Sequence, residues 1–212
     1  MAASTKWMAW IALVLSMACG SPTDPGKQEE VVANGEGTVP APPTALIWSR
    51  LKGRLPIVEL PVRYTLFDEL ARTIPLDANE QRFLAGYEQE NAVAIGILPD
   101  TARVIHVLWM AAADSWLPAI STFSKTGSFL AADGLVIGHC DGGSEPCSDC
   151  KETVIIGDDY HVMTTDTVHI CECDSNFSEI PGTCEHYVQW REGNIGDHGV
   201  HLSDTQRRDL DR

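Results

Sequence analysis

From Ala45 to Cys171 the chain alternates short apolar runs with clusters of Gly, Pro, Asn, Asp and Ser, the punctuation of a β-rich protein. Ala45–Trp48 and Ile57–Leu66 read as strands. The second contains Pro61, which cannot donate to a ladder and so marks an edge or a break. Phe67–Ile74 and Asp77–Ala85 read as helices. Asp77 followed by Glu80 predicts an N-terminal capping box, and Gly86 predicts the stop. Ala92–Leu98, Val104–Ala111, Leu117–Phe123 and Phe129–Gly138 read as strands, with Ser124–Gly127 turning between the last two. Thr153–Ile156 and Tyr160–Cys171 form a further hairpin; folding it about Asp158 and Asp159 sets Ile156 against His161. Period-2 alternation then puts Val162, Thr164, Asp166, Val168 and Ile170 on one face of that strand. His161, Met163, Thr165, Thr167, His169 and Cys171 lie on the other. Consecutive strands at this spacing pair with their neighbours. The expected fold is mainly β (α+β): an antiparallel β-meander or sandwich-like sheet with one or two short helices near residues 67–85. No internal repeat of about 20–50 residues supports a propeller or solenoid.

The two ends differ from this middle. Lys6 precedes Trp7–Ala18, an apolar run broken only by Ser16 and too short to span a bilayer, which takes about 20 residues. A basic start, an apolar centre and a small-residue exit make residues 1–18 a secretory signal peptide. Residues 19–43 are rich in Gly, Pro, Ser and Glu and read as a flexible tether. Residues 44–192 make a single β-rich domain with a Cys-rich last third, and residues 193–212 a polar tail without fixed geometry, holding His198 and His201.

Leu15-Ser16-Met17-Ala18-Cys19 resembles the lipobox of bacterial lipoproteins, in which a small residue precedes a Cys that is acylated after cleavage. It departs from that pattern in having Leu four places before the Cys instead of three. Ser16-Met17-Ala18 also suits an ordinary signal-peptidase site, with Cys19 merely next in line. The resemblance implies lipidation at Cys19, and Gly20 after it implies an outer-membrane destination; a secreted or soluble periplasmic protein is the alternative. The order of a helical segment, a strand–Lys-Thr-Gly–strand hairpin and a Cys-bearing acidic loop over roughly residues 45–175 resembles uncharacterised cell-envelope lipoproteins, a likeness that carries no activity with it.

Charge narrows the partners. With 30 acidic against 15 basic residues the chain carries −15 at pH 7, a field that repels nucleic acid. Besides the membrane reached through the lipid anchor, the expected partner is another envelope protein or a cationic ligand.

Six cysteines remain beyond Cys19: Cys140, Cys147, Cys150, Cys171, Cys173 and Cys184. An even number in an exported chain reads as disulfides. The hairpin brings Cys147 near Cys171, so the first pairing expected is Cys147–Cys171, with Cys140–Cys150 across the acidic loop and Cys173–Cys184 closing the last. The alternative is zinc held by Cys147, Cys150, Cys171 and Cys173 with His139, Cys184 or His186. His161 and His169, eight residues apart, stand about 26 Å from one another along a strand and cannot share an ion. Cys147-Ser-Asp-Cys150 precedes a strand, not the helix N-terminus that a redox pair uses. Asp141–Glu145 offers too few carboxylates for calcium.

No nucleophile elbow, zincin motif, phosphate-binding loop or dinucleotide fingerprint is present. No catalytic residue and no cofactor is assigned. The leading expectation is a lipid-anchored, non-catalytic binding or structural module. The alternatives are an envelope hydrolase using carboxylates from separate strands, and a metal-binding protein working through the Cys/His-rich third.

Overall fold

The computed structural model describes residues 44–65, 70, 72–86, 91–99, 102–113, 115–138 and 147–210. Cys19, His139, Cys140, the Asp141–Glu145 loop and four of the eight residues of the expected helix Phe67–Ile74 lie outside them; of the other four, Leu70, Arg72 and Thr73 are not helical and Ile74 is in a strand.

The first element is a helix, α1 (Thr44–Arg54), where a strand over Ala45–Trp48 was expected. The four-residue apolar run is the start of a longer stripe: Ile47, Trp48, Leu51 and Leu55 recur at helical spacing and are buried. Arg50 and Arg54, one turn apart, project beside that stripe. After β1 (Val62–Thr65) and β2 (Ile74–Pro75) comes α2 (Ala78–Ala85), which keeps both of its expected ends. Asp77 Oδ1 accepts from the N–H groups of Asn79 and Glu80, and Glu80 Oε2 accepts from the N–H of Asp77. Gly86 closes the helix at φ 74°.

Nine strands follow or flank these: β3 (Val93–Ile97), β4 (Val104–Ala112), β5 (Trp116–Ser124), β6 (Phe129–Gly134), β7 (Ser148–Ile156), β8 (His161–Ile170), β9 (Glu185–Gly196), β10 (Gly199–Leu202) and β11 (Gln206–Asp209). Together they make a mainly antiparallel β fold of two sheets. Sheet A is the meander β2-β3-β4-β5-β6, and sheet B runs β1-β7-β8-β9-β10 with β11 also on β9. The expected polar tail is therefore the end of β9 and its two partners. His201 sits in β10, opposite Asn194, and not in unstructured chain.

The layers are helices, sheet A, sheet B. On β4, Ile105, Val107 and Trp109 pack with Trp48, Leu51, Leu84 and Phe123 in a core beneath the helices. Leu108 from the other face joins Ile120, Leu135, Val154, Ile156 and Val162 between the sheets. Burial on both sides explains the apolar run of β4, which only His106 interrupts. Trp48, Phe83 and Phe123 stack with centroids 4.8–6.0 Å apart, and Phe129 meets Phe123 edge-on at 5.8 Å. Gly127 (φ 88°) lets the β5–β6 turn lie against Trp48, since a Cβ there would stand 2.3 Å from the indole.

Polar groups fasten the helices. Trp109 Nε1 donates to Ser121 Oγ (2.8 Å), which donates to the carbonyl of Leu84 (2.6 Å). The fully buried Glu80 carboxylate receives both Arg54 (2.9 Å) and Arg50 (3.2 Å). Burial pushes Asp77 up, but the Glu80 and Asn79 amides and the Arg50 guanidinium outweigh it and hold its carboxyl below the ordinary 3.8.

The β7–β8 hairpin differs from its expected register by one place: Ile156 faces Val162, not His161. Tyr160 adopts φ 66° in the turn, and Gly157 N–H bonds His161 O, a turn closed by a left-handed fourth residue. The expected division of faces on β8 holds, with Val162, Thr164, Asp166 and Val168 buried.

Phe123→Ala removes the centre of the aromatic stack and should cost about 3–5 kcal/mol, read as a lower urea midpoint with an unchanged slope. Phe177→Ala, at a side chain 73% exposed, should stay within about 0.5 kcal/mol of wild type.

Candidate functional site

The Cys-rich corner is built where β7, β8 and β9 end together. The β7–β8 ladder stops at Ser148 opposite Ile170, and the β8–β9 ladder at Ile170 opposite Glu185. One step further, Cys171 has Cys147 on one side and Cys184 on the other. Cys171 N–H donates to the Cys147 carbonyl at 3.0 Å, yet its sulfur bonds Cys184, with the two Cα atoms 4.0 Å apart. Cys147 bonds Cys173, two residues along, with Cα atoms 5.9 Å apart. The expected pairs Cys147–Cys171 and Cys173–Cys184 are thus exchanged. The hairpin alone brings Cys147 to Cys171, but β8 is a central strand, and β9 presents the rival Cys184 directly across from it. Cys150 is disulfide-bonded as well; the Cys140 expected as its partner lies outside the described residues.

The bridges enclose an ordered loop, 172–183. Asp174 Oδ1 accepts the N–H groups of Asn176 (2.8 Å) and Ser178 (2.9 Å). The Ser178 and Asn176 amides hold its carboxyl below the ordinary 3.8. Cys173 pairs with Glu179 in an isolated bridge, and Ile180 N–H reaches Glu172 O at 2.9 Å. Glu179 is thereby set over the end of β8, with Oε1 3.4 Å from His169 Nε2. His186 stands directly across the ladder from His169, ring centroids 5.8 Å apart at 79°. Asp149 faces His169 from β7. His161 pairs instead with Glu192 at 3.6 Å near the other end of β8.

As cystines, Cys147, Cys171, Cys173 and Cys184 are not the thiolates that the zinc alternative requires. His139, the other imidazole of that set, lies outside the described residues.

The outer face of sheet B continues from this corner. Met163, Thr165, Val188, Trp190 and Arg208 line a shallow depression of about 280 Å³. The sequence alternation showed the β8 half of it; the β9 half, Val188 and Trp190, lies near the end of the expected domain, where no strand was expected. The inner face carries a row of buried polar groups in register, Glu152, Asp166 and Gln189. Gln189 Nε2 donates to Asp166 at 2.9 Å, and the Ile137 N–H donates to Glu152. Beside the row, Arg207 of β11 lies 3.6 Å over the ring of Tyr187, whose hydroxyl burial pushes up in pKa against the guanidinium's opposing pull.

Two clefts open elsewhere. One, of about 350 Å³, is lined by His106, Tyr160, Ile195 and the Arg103–Asp197 ion pair. His106 is buried, its Nδ1 3.1 Å from Thr122 Oγ1 and its ring 6.4 Å from that of Tyr160. The other, of about 480 Å³, is lined by Val58, Val62, Tyr64, Leu70, Arg72 and Ile95; burial pushes the Tyr64 hydroxyl up to about 12. Neither His106 nor Tyr64 has a partner at motif spacing: His106 sits in an otherwise apolar strand, and Tyr64 in the short strand Val62–Thr65.

No family model, curated protein or solved structure matches the chain. The disulfides fit an oxidising compartment outside the cytoplasm. Among the described residues no helix is long and apolar enough to cross a membrane.

A non-reduced digest should yield peptides joining Cys147 to Cys173 and Cys171 to Cys184. Recovery of a Cys147–Cys171 peptide would contradict this connectivity. The bridges span 26 and 13 residues, so removing the shorter one as Cys171→Ser/Cys184→Ser should lower stability by about 3 kcal/mol, measured by urea unfolding under oxidising conditions.

Proposed function

We propose that this chain is an exported protein of the bacterial cell envelope, lipid-anchored through Cys19, whose disulfide-stapled sandwich binds a partner protein on the outer face of sheet B. The observation that carries the reading is the pairing of disulfides with an open, mixed face. The bridges fit export, and export fits the signal-like residues 1–18 with a tether after Cys19.

The face itself suits a protein partner. The chain carries −15 overall, yet Arg63, Lys151 and Arg208 on this face offset Asp149 and Glu192. A near-neutral surface with an apolar depression around Met163 and Trp190 is the composition of a contact patch. The hydrolase alternative has less support. Glu152 and Asp166 do come from separate strands and stand opposite each other, but both are buried and hold backbone amides or Gln189.

Two measurements test this. Intact mass spectrometry of the mature protein from its own membrane should give a diacyl or triacyl mass on Cys19; an unmodified Cys19 terminus would defeat the anchor. A photo-crosslinking residue at Met163 should trap a discrete adduct in the intact envelope, whereas the same residue at Lys52 on α1 should not. Equal or absent adducts at both positions would remove the docking face.

A further inference from the structure

We infer that the Cys-rich corner carries a site for a divalent transition metal, built from His169, His186 and Glu179 with the disulfides intact. The inference rests on the corner's geometry and does not depend on the anchor or on a protein partner.

Directly opposed residues of an antiparallel pair point to the same side with Cβ atoms about 4.5–5.5 Å apart, and His169 and His186 are such a pair. Their rings already meet edge to face at 5.8 Å. The third group does not belong to the ladder. Glu179 is brought over it by the loop between the two bridges, and its bridge to Cys173 fixes where it arrives. His169 Nε2 and Glu179 Oε1 stand 3.4 Å apart, long for a charge-assisted hydrogen bond. Two ligands on a tetrahedral ion with bonds of about 2.1 Å are separated by about 3.4 Å, so the pair is spaced as co-ligands. Asp149, on the far side of His169 in the same row, supplies a second carboxylate at the rim.

Donor chemistry selects the ion. Two imidazoles and a carboxylate suit zinc, copper(II) or nickel, while calcium and magnesium prefer all-oxygen sets. The Cys171 and Cys184 sulfurs fall in the same cluster as His169 and Glu179, all four ligand atoms within 4.8 Å of one another; the His186 ring nitrogens lie outside it, so that ring has to turn toward His169 to complete the set. Joined to each other they are not thiolates, so the intact protein binds through nitrogen and oxygen. The same spacing makes a thiolate site the rival, and that rival exists only after a dithiol reductant has opened the bridge.

The test is calorimetric titration of the full chain in detergent with zinc chloride, before and after iodoacetamide treatment under native conditions, with magnesium chloride as control. One equivalent of zinc should bind, unchanged by iodoacetamide, and magnesium should give no saturable heat. His169→Ala and His186→Ala should each weaken binding about 10-fold or more, while His161→Ala, at the other end of the strand, should leave it unaltered. Circular dichroism of each variant checks its fold. In the wild-type protein, cobalt(II) should broaden the NMR signals of His169 and His186 before that of His161, a readout that needs no variant. Absence of saturable zinc binding, binding that survives loss of both histidines, or binding that appears only after reduction and is abolished by iodoacetamide would each overturn the proposal.

Discussion

Sheet A has to be covered on both faces, and the arrangement of every other element follows from that. From Ile105 to Met110 successive residues of β4 are buried, and β5 repeats the pattern from Pro118 to Phe123. A strand apolar on one face needs one covering layer; these need two. The helices supply the first, inserting Trp48, Leu51 and Leu84 over Ile105, Val107 and Trp109. Sheet B supplies the second, setting Val154, Ile156 and Val162 against Leu108 and Ile120. His106 and Thr122, polar groups on those same strands, are buried and bond to each other, the usual condition for a polar side chain inside such a layer.

Among the described residues sheet B, as the outermost layer, is covered on one face only, which leaves its other face open for contacts. The alternation along β8 records this directly: Val162, Thr164, Asp166 and Val168 are buried, while Met163 and Thr167 are exposed. At the strand ends the sheet runs beyond the reach of the core. There Cys171–Cys184 and Cys147–Cys173 close short loops where little apolar surface is left to bury, and cross-linking is the remaining way to restrict the chain. Fixed side chains on a surface otherwise free to move are the condition for a binding site.

What could be read from the sequence was local. The capping box from Asp77 to Glu80, the stop at Gly86 and the faces of β8 depend on neighbours a few residues apart, and all are present. What was hidden depended on distant chain. Ala45–Trp48 is too short a run to tell a strand from the first turn of a helix, and only Leu51 and Leu55 decide it. The tail concealed strands because Ile195, Val200 and their neighbours are few and separated by glycines; β9 finds its order by pairing with β8. The cysteine exchange has the same origin. A reading from one hairpin sees Cys147 across from Cys171, and Cys184 enters only when a third strand is laid beside the second.

The buried row of Glu152, Asp166 and Gln189 ties these levels together. Two carboxylates directly opposed on neighbouring strands are costly unless each is fully hydrogen-bonded, and here Gln189 serves Asp166 while the Ile137 amide serves Glu152. That satisfaction exists in one register only. A slip of β8 by one residue would turn Asp166 to solvent and drive Met163, Thr165 and His169 inward; a slip of two would part Asp166 from Gln189. A polar row that matches in one alignment therefore acts as a key for the ladder. Its setting three residues from His169, on the opposite face of the same strand, is what places His169 across from His186 and Cys171 across from Cys184. The inner face thus determines which groups meet on the outer one, and the chemistry of the corner is inherited from the register of the core.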